Sequence, residues 1–199
     1  MISYQPRPEE IKALREETSA PMMDCRKALV DAGGDPERAK ALLLERGAVQ
    51  AAKKAERTAD EGVVTSYIHA GGKIGVLVEV NCETDFVARN PKFAELARDI
   101  AMHVAAMSPQ YVDRDGVPSD VVDGVRSELR AAVPAGKSAD VAEKIVEGKL
   151  NKWFEERCLL DQAFVKDDSM TVGDLIHANI GALGERLRVR RFTRYALGE

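Results

Sequence analysis

Apolar residues recur with a helical period over the first part of the chain. Residues 8–18 place Ile11 and Leu14 one turn apart, and a second segment carries an apolar face made of Cys25, Ala28, Leu29 and Ala32. A third helix is predicted to begin at Asp35-Pro36, an N-cap followed by a proline at the first helical position, and to end at Gly47. The pattern therefore predicts a module of three short helices over residues 1–55, followed by an exposed helical connector.

The period changes from 3.6 to 2 at residue 63. Two alternating segments, VVTSYIHA and KIGVLVEV, flank Gly71-Gly72, and a two-residue turn there predicts a β-hairpin because both glycines accept positive φ. One face of the second strand carries Ile74, Val76, Val78 and Val80. The closing run RLRVRRFTRYA also has a strand composition, and its alternation slips between Val189 and Phe192, which indicates a bulge.

Helical patterns return between these strands. Asn90-Pro91 caps a helix with a continuous apolar stripe, and two helices starting near Ser119 and Ser138 are predicted to form a helical hairpin over about 119–157. Thr171 and Asp174 resemble a capping box, and Gly184 ends the helix that follows. The fold class is α+β: a helical N-terminal module, then a core over residues 56–199 in which a small antiparallel sheet packs with helices.

Composition and charge limit the classes of function that fit this chain. The chain has 199 residues, 45% of them hydrophobic, and a formal net charge of −4, which argues against direct nucleic-acid binding as the main activity. Its three cysteines have no metal-ligand or disulfide spacing and suit reduced thiols. The N-terminus is charged where a signal peptide needs an apolar run, and no stretch is apolar for long enough to span a membrane. We expect a cytoplasmic protein.

Candidate catalytic chemistry is sparse. The three histidines are His69, His103 and His177, and none stands in a nucleophile-elbow, P-loop or zinc-protease motif. For His103 a satisfied or surface position is favoured over a catalytic one. The arginines of the closing strand could indicate RNA, but no RNA-binding motif surrounds them. Coverage of a sheet face, or pairing with acids such as Glu155, Glu156 and Asp161, is the favoured interpretation.

Two segments are candidates for binding a partner. NCETDFVARN (81–90) joins a strand to a helix N-cap, so its centre lies at a tip or an edge. On pattern alone a buried Phe86 that anchors the loop is favoured, and the alternative is an exposed aromatic wedge with Asp85 beside it. Met22 and Met23 cannot both face the core of one helix, and methionines suit adaptable interfaces.

The segments that carry a family resemblance lie in order along nearly the whole chain. They are IKALREETSAPMMDCRKALVDAGGD, AAKKAE, SYIHAGGKIGVLVE, NCETDFVARN, AMHVAA, VAEKIVEGKLNKW, FVKDD and VRRF. This set resembles the elongation factor Ts family, the guanine-nucleotide exchange factors of elongation factor Tu. The resemblance implies a ubiquitin-associated-like N-terminal domain, an α+β core and no bond-breaking activity, cofactor or bound metal. Since the length allows one copy of the core, it implies the short form, and a homodimer could supply the second copy.

The resemblance also implies roles for individual residues. The stretch that enters the nucleotide-binding domain of elongation factor Tu and dislodges Mg²⁺ is matched by Thr84, Asp85, Phe86 and Val87. Docking positions of the N-terminal module are matched by Lys12, Arg15, Met22 and Met23. Two further contact positions are matched by His69 and Leu183.

The chain departs from the family pattern at two places. Ser19 and Pro21 stand where the family usually has glycines, and Ala163 stands where it usually has proline. The first departure affects the turn before Met22, and the second a local turn. Two other classes of function stay open on the sequence: a ubiquitin-associated-type adaptor with unrelated partners, and a hydrolase that uses one of the histidines.

Overall fold

The computed structural model describes residues 4–18, 20–134 and 136–199. In this part of the chain there are eight α-helices: α1 Pro8–Thr18, α2 Met22–Asp31, α3 Pro36–Lys54, α4 Asp85–Ala88, α5 Pro91–Met107, α6 Ser119–Ala131, α7 Ala139–Arg157 and α8 Val172–Leu183. The strands described are β1 Glu61–Ile68, β2 Ile74–Cys82, β3 Ala163–Phe164, β4 Asp167–Thr171 and β5 Arg188–Ala196. Ser19, one of the two departures before Met22, lies outside the described residues.

The N-terminal helices pack around a small apolar core of their own. It consists of Leu14, Cys25, Ala28, Leu29, Ala32 and Ala39. The Asp35 side chain accepts from the backbone N–H groups of Glu37 and Arg38, which confirms the predicted N-cap of α3. The three predicted helices are therefore present, while their likeness to a ubiquitin-associated domain and the domain boundary near residue 55 stay predictions.

The predicted end of α3 at Gly47 is wrong. The helix continues to Lys54, and Gly47 is buried in its middle. A Cβ atom on Gly47 would lie 2.7 Å from the carbonyl oxygen of His177 in α8. Glycine stands here because the backbones of α3 and α8 cross too closely for a side chain, so it serves as a packing position and not as a helix stop.

A three-stranded antiparallel sheet, in the order β1-β2-β5, carries the core. Val76, Val78 and Val80 point inward, as the alternation predicts, and pack with the buried face of α5. The β2–β5 register shifts between Glu79 and Val80, which confirms the bulge in the closing strand. The predicted two-residue turn is wrong: His69 N–H donates to the Ile74 carbonyl at 2.9 Å, which leaves a four-residue loop over 70–73.

The remaining helices follow the predicted order. Helices α6 and α7 form the hairpin, with ion pairs from Arg126 to Glu147 and from Arg130 to Glu143 across it. Thr171 and Asp174 form a full capping box at the start of α8. A small hairpin, β3–β4, was not predicted. The structure confirms the α+β class, with helices and small antiparallel sheets around one main core.

The arginines of the closing strand pair with other acids than those predicted. Arg190 and Arg191 both bind the Glu79 carboxylate of the neighbouring strand, at 3.4 and 2.8 Å. Arg194 is largely covered, with its guanidinium 2.7 Å from Glu199. The named partners were therefore wrong, and the reason is that adjacent strands place Glu79 opposite Arg191. The expectation that these arginines pair with acids is confirmed for Arg190, Arg191 and Arg194.

Candidate partner-binding site

The segment NCETDFVARN turns sharply out of the sheet into a one-turn helix. Strand β2 ends at Cys82, Thr84 is the N-cap of α4, and the Thr84 hydroxyl accepts from Val87 N–H at 3.4 Å. Val87 is only 3% exposed and belongs to the main core. Buried Val87 therefore fixes one side of α4 and leaves the opposite side free to face outward.

Phe86 lies on that outward side. Its side chain is 78% exposed, so the favoured interpretation of a buried anchor is wrong. Val87, and not Phe86, is the buried residue that anchors the turn. The Phe86 ring is therefore accessible to a partner, on a turn whose position is fixed.

Asp85 precedes Phe86 on the same turn and carries its charge at the surface. Its carboxylate lies 3.0 Å from the Arg89 guanidinium, and the two side chains are 63% and 81% exposed. An exposed pair of this kind contributes little to stability because water screens it. The carboxylate is thus available to a partner at small energetic cost.

The wedge segment, Thr84–Val87, rests on contacts from distant parts of the chain. The Glu185 carboxylate accepts from Thr84 N–H at 3.0 Å and from the Thr84 hydroxyl at 2.6 Å. The Cys82 thiol donates to the Thr84 carbonyl at 3.2 Å. Burial, with a smaller contribution from the Glu185 charge, raises the pKa of the Cys82 thiol to about 11, so it stays protonated and keeps donating.

Glu83 and Glu185 were not among the sequence candidates, although they support the segment most directly. The two residues are 102 positions apart, and no local periodicity relates them. The sequence signal that could have pointed to Glu185 is its position directly after Gly184, which ends a helix. A side chain at a helix end is free to reach a neighbouring loop. Only the pairing of β2 with β5 shows that these two loops are neighbours.

The N-terminal candidates form a second surface. Met22 and Met23, at the start of α2, are 53% and 66% exposed, so neither belongs to the core. On α1, Lys12 and Arg15 are exposed as well, and the Lys12 ammonium lies 3.7 Å from Glu16. Pro21, which stands where the family usually has glycine, is exposed at the N-cap of α2 and makes no side-chain cap there.

The two remaining candidates differ in setting. His69 is exposed at the end of β1, with Nδ1 3.1 Å from the Tyr67 hydroxyl. Leu183, at the end of α8, is half-buried against the main core, two residues before Glu185. Only part of its surface is therefore free. A contact by either residue stays a prediction.

His103, a candidate for catalysis by its residue type, lies inside the core, and both of its ring nitrogens have hydrogen-bond partners. Val165 N–H donates to His103 Nδ1 at 3.2 Å, and the other ring nitrogen lies 3.0 Å from Gln162 Oε1. Burial lowers the pKa of His103 and keeps it neutral, although the Gln162 contact opposes the shift. The satisfied position favoured on the sequence is confirmed.

The described residues add three findings, on metal binding, on membrane-spanning helices and on the cysteines. Within residues 4–18, 20–134 and 136–199, no group of three or more His, Cys, Asp or Glu side chains is arranged to hold a metal ion. No helix in the same ranges is both long and apolar enough to cross a bilayer. All three cysteines are free thiols in buried positions.

Comparison with known proteins decides the family. The model of the family described as Elongation factor TS matches residues 37–199. The chain belongs to the elongation factor Ts family. The family match includes the wedge segment, the loop that carries Glu185, and the part of α3 that follows its first residue.

Individual relatives extend the similarity to nearly the whole chain. An elongation factor Ts from Syntrophomonas wolfei is 55% identical over 192 residues, which are 96% of this chain and 90% of the relative. One from Carboxydothermus hydrogenoformans is 54% identical, over 95% of this chain and 88% of the relative. One from Caldanaerobacter subterraneus is 50% identical over 200 residues, 100% of this chain and 98% of the relative. The resemblance and the assignment to translation elongation are confirmed.

Proposed function

We propose that this protein is a guanine-nucleotide exchange factor that binds elongation factor Tu in its GDP-bound form and promotes GDP release. The observation that carries the proposal is Phe86, 78% exposed on a turn fixed by a buried neighbour. An exposed phenylalanine on a fixed support gains free energy only when a partner covers it. Family membership supports the choice of partner. We propose the cytoplasm as the place of this activity, because translation elongation runs there.

The proposed mechanism is differential binding and breaks no bond. If the protein binds nucleotide-free partner more tightly than GDP-bound partner, linkage requires that it weaken GDP binding by the same factor. Insertion of the wedge segment, Thr84–Val87, is proposed to open the nucleotide-binding domain near the Mg²⁺ site. The Asp85 carboxylate then lies near the cation and competes with its ligands. Loss of Mg²⁺ removes charge that holds the diphosphate, which speeds GDP release.

The N-terminal surface is proposed to dock the partner without driving exchange. Met22 and Met23 offer flexible apolar contacts, and Lys12 and Arg15 add positive charge beside them. His69 and Leu183 are proposed as further contacts. Under this division of roles, residues 1–55 serve affinity and the core at 56–199 serves exchange. Neither surface requires a cofactor or a bound metal.

Stopped-flow release of a fluorescent GDP from elongation factor Tu tests the proposal directly. We expect the release rate to rise with the concentration of this protein and to saturate. If a matched partner shows no acceleration, the exchange role is wrong, and pull-down of unrelated partners would then favour an adaptor. A hydrolase would instead turn over its substrate with no partner present.

We also propose that the outer face of the main sheet pairs with a second copy of this chain. Exposed apolar side chains lie on it, namely Val64, Ile68, Leu77 and Tyr195. The same face carries Glu79 beside Arg191. Such a face is complementary to itself, because a two-fold axis can set the acid of one copy against the arginine of the other.

Sedimentation velocity tests this pairing. We expect a dimer at micromolar concentration for the wild type and a monomer for Leu77→Arg, which places a charge in the centre of the face. Val141→Arg is the matched control, since Val141 is 43% exposed on α7, away from the sheet. A wild-type monomer at all concentrations, or a dimer that survives Leu77→Arg, would overturn the pairing.

A further inference from the structure

The loop between α8 and β5 lies beside the end of β2 and holds the wedge segment there. Glu185 in this loop is half-buried, and its carboxylate accepts three hydrogen bonds. Glu83 N–H and Thr84 N–H donate to one oxygen at 3.0 Å each, and the Thr84 hydroxyl donates to the other at 2.6 Å. A carboxylate oxygen that accepts from two consecutive N–H groups fixes the direction of the backbone between them.

The Thr84 hydroxyl links Glu185 to α4 through two hydrogen bonds. It gives its hydrogen to Glu185 and accepts from Val87 N–H at 3.4 Å. Helix α4 has only four residues, which is too short to be stable through its own hydrogen bonds. Its position is therefore set from outside, by the contact with Glu185 at one end and by buried Val87 at the other.

The loop that carries Glu185 is itself held in place. Glu83 returns the contact, since its carboxylate accepts from Arg186 N–H at 2.6 Å and lies 3.3 Å from the Arg57 guanidinium. The Arg186 guanidinium donates to the Arg57 carbonyl, and the Lys54 ammonium donates to the Gly184 carbonyl. The two loops thus hold each other through Glu83 and Glu185, and both are held by Lys54, at the end of α3, and by Arg57, just after it.

We propose that Glu185 is a positioning residue for nucleotide exchange. It holds Thr84 and the turn that follows so that Phe86 projects outward before the partner arrives. Glu185 itself acts through Thr84 and does not enter the nucleotide site. This inference rests on the proposed exchange function and adds a residue to it. A wedge that is already in position loses less conformational freedom when it is inserted.

The test compares Glu185→Ala with Glu156→Ala, a matched control whose carboxylate binds Arg157 at the end of α7. We expect Glu185→Ala to lower the saturated rate of GDP release about 10- to 100-fold, as for a displaced reacting group. The concentration at half-saturation should change by less than about threefold, because docking on the N-terminal surface is kept. Glu156→Ala should match the wild type in both.

Two further measurements separate positioning from a general structural effect. Amide hydrogen exchange of Glu83 and Thr84 in the free protein should be faster in Glu185→Ala and unchanged in Glu156→Ala. In a double-mutant cycle, Glu185→Ala should cost nothing more once Phe86→Ala is present, because both changes act through the same wedge. If Glu185→Ala does not fold, Glu185→Gln takes its place. It keeps one acceptor oxygen and should show a smaller loss of rate.

The outcomes distinguish this inference from the function on which it rests. If the wild type does not accelerate GDP release, the exchange proposal fails, and amide exchange still reports whether Glu185 holds the loop. If the wild type is active and Glu185→Ala keeps the saturated rate, the positioning role is wrong. Unchanged amide exchange of Thr84 in Glu185→Ala would overturn it as well.

Discussion

Replacement of Phe86 by alanine should damage exchange and leave the fold nearly intact. A phenylalanine side chain has about 200 Å² of surface. Because 78% of it is exposed here, only about 45 Å² is buried in the free protein. At about 25 cal/mol per Å², the variant loses about 1 kcal/mol of unfolding free energy. For a chain of this size we expect Tm to fall by about 2–4 °C.

The expected loss of exchange is much larger. About 150 Å² of Phe86 surface is available for burial in the partner, which amounts to about 4 kcal/mol at the same coefficient. That sets an upper limit of about 1,000-fold on the loss of rate. Opening the packing of the partner offsets part of this gain. We therefore expect Phe86→Ala to slow the saturated rate of GDP release by about 10- to 1,000-fold.

Stopped-flow release of fluorescent GDP at saturating concentration measures the loss, and thermal melting followed by circular dichroism measures the fold. Val141→Ala also truncates an exposed apolar side chain. As the control, it should keep the wild-type rate of GDP release and the wild-type Tm. Phe93→Ala is the opposite control, since Phe93 is fully buried and its truncation should cost about 3–5 kcal/mol. A melting curve of Phe86→Ala as low as that of Phe93→Ala, or an unchanged rate of release, would refute the reasoning.

Other parts of the molecule give three more predictions. Met22→Ala should raise the concentration needed for half-maximal exchange with little change in Tm, since the side chain is 53% exposed; a lower saturated rate at unchanged affinity would contradict the docking role. Gly47→Ala should lower Tm, because its Cβ would lie 2.7 Å from the His177 carbonyl oxygen; an unchanged Tm in thermal melts would show that α3 and α8 can move apart freely. The stability advantage of the wild type over His103→Asn should shrink as the pH falls below about 6.5, where unfolded histidine takes up a proton that the buried ring resists. Chemical denaturation between pH 5 and 8 checks this, and a difference that does not vary with pH would contradict it.

Elements whose burial follows a single period were predictable from the sequence. The alternating apolar residues that end at Val80 and the apolar stripe that begins at Phe93 pack against each other in the main core. Both are buried as predicted. Gly47 misled the prediction because a glycine that stops a helix and a glycine that permits close packing look alike in one sequence. The identity of the facing element, α8, decides between them, and that element lies more than a hundred residues away.

The candidate site shows the same limit. Local pattern could place residues 81–90 at the end of a strand but could not say whether Phe86 or Val87 faces the core. That choice depends on how α4 is held, and therefore on Glu185, whose contact with Thr84 spans 101 residues. The family resemblance singles out the same turn as a partner contact, and that role stays a prediction.

Helix α3 connects the two proposed contact surfaces without a hinge. Its first half packs in the N-terminal core through Ala39, and its second half crosses α8 at Gly47. The spacing and the rotation between the surfaces are thus set by one continuous helix of 19 residues. A residue inserted between these two points would turn one surface relative to the other by about 100° and shift it by about 1.5 Å. If both proposed surfaces contact the same partner, they bind it as one bidentate unit, because binding of the first surface brings the second within reach.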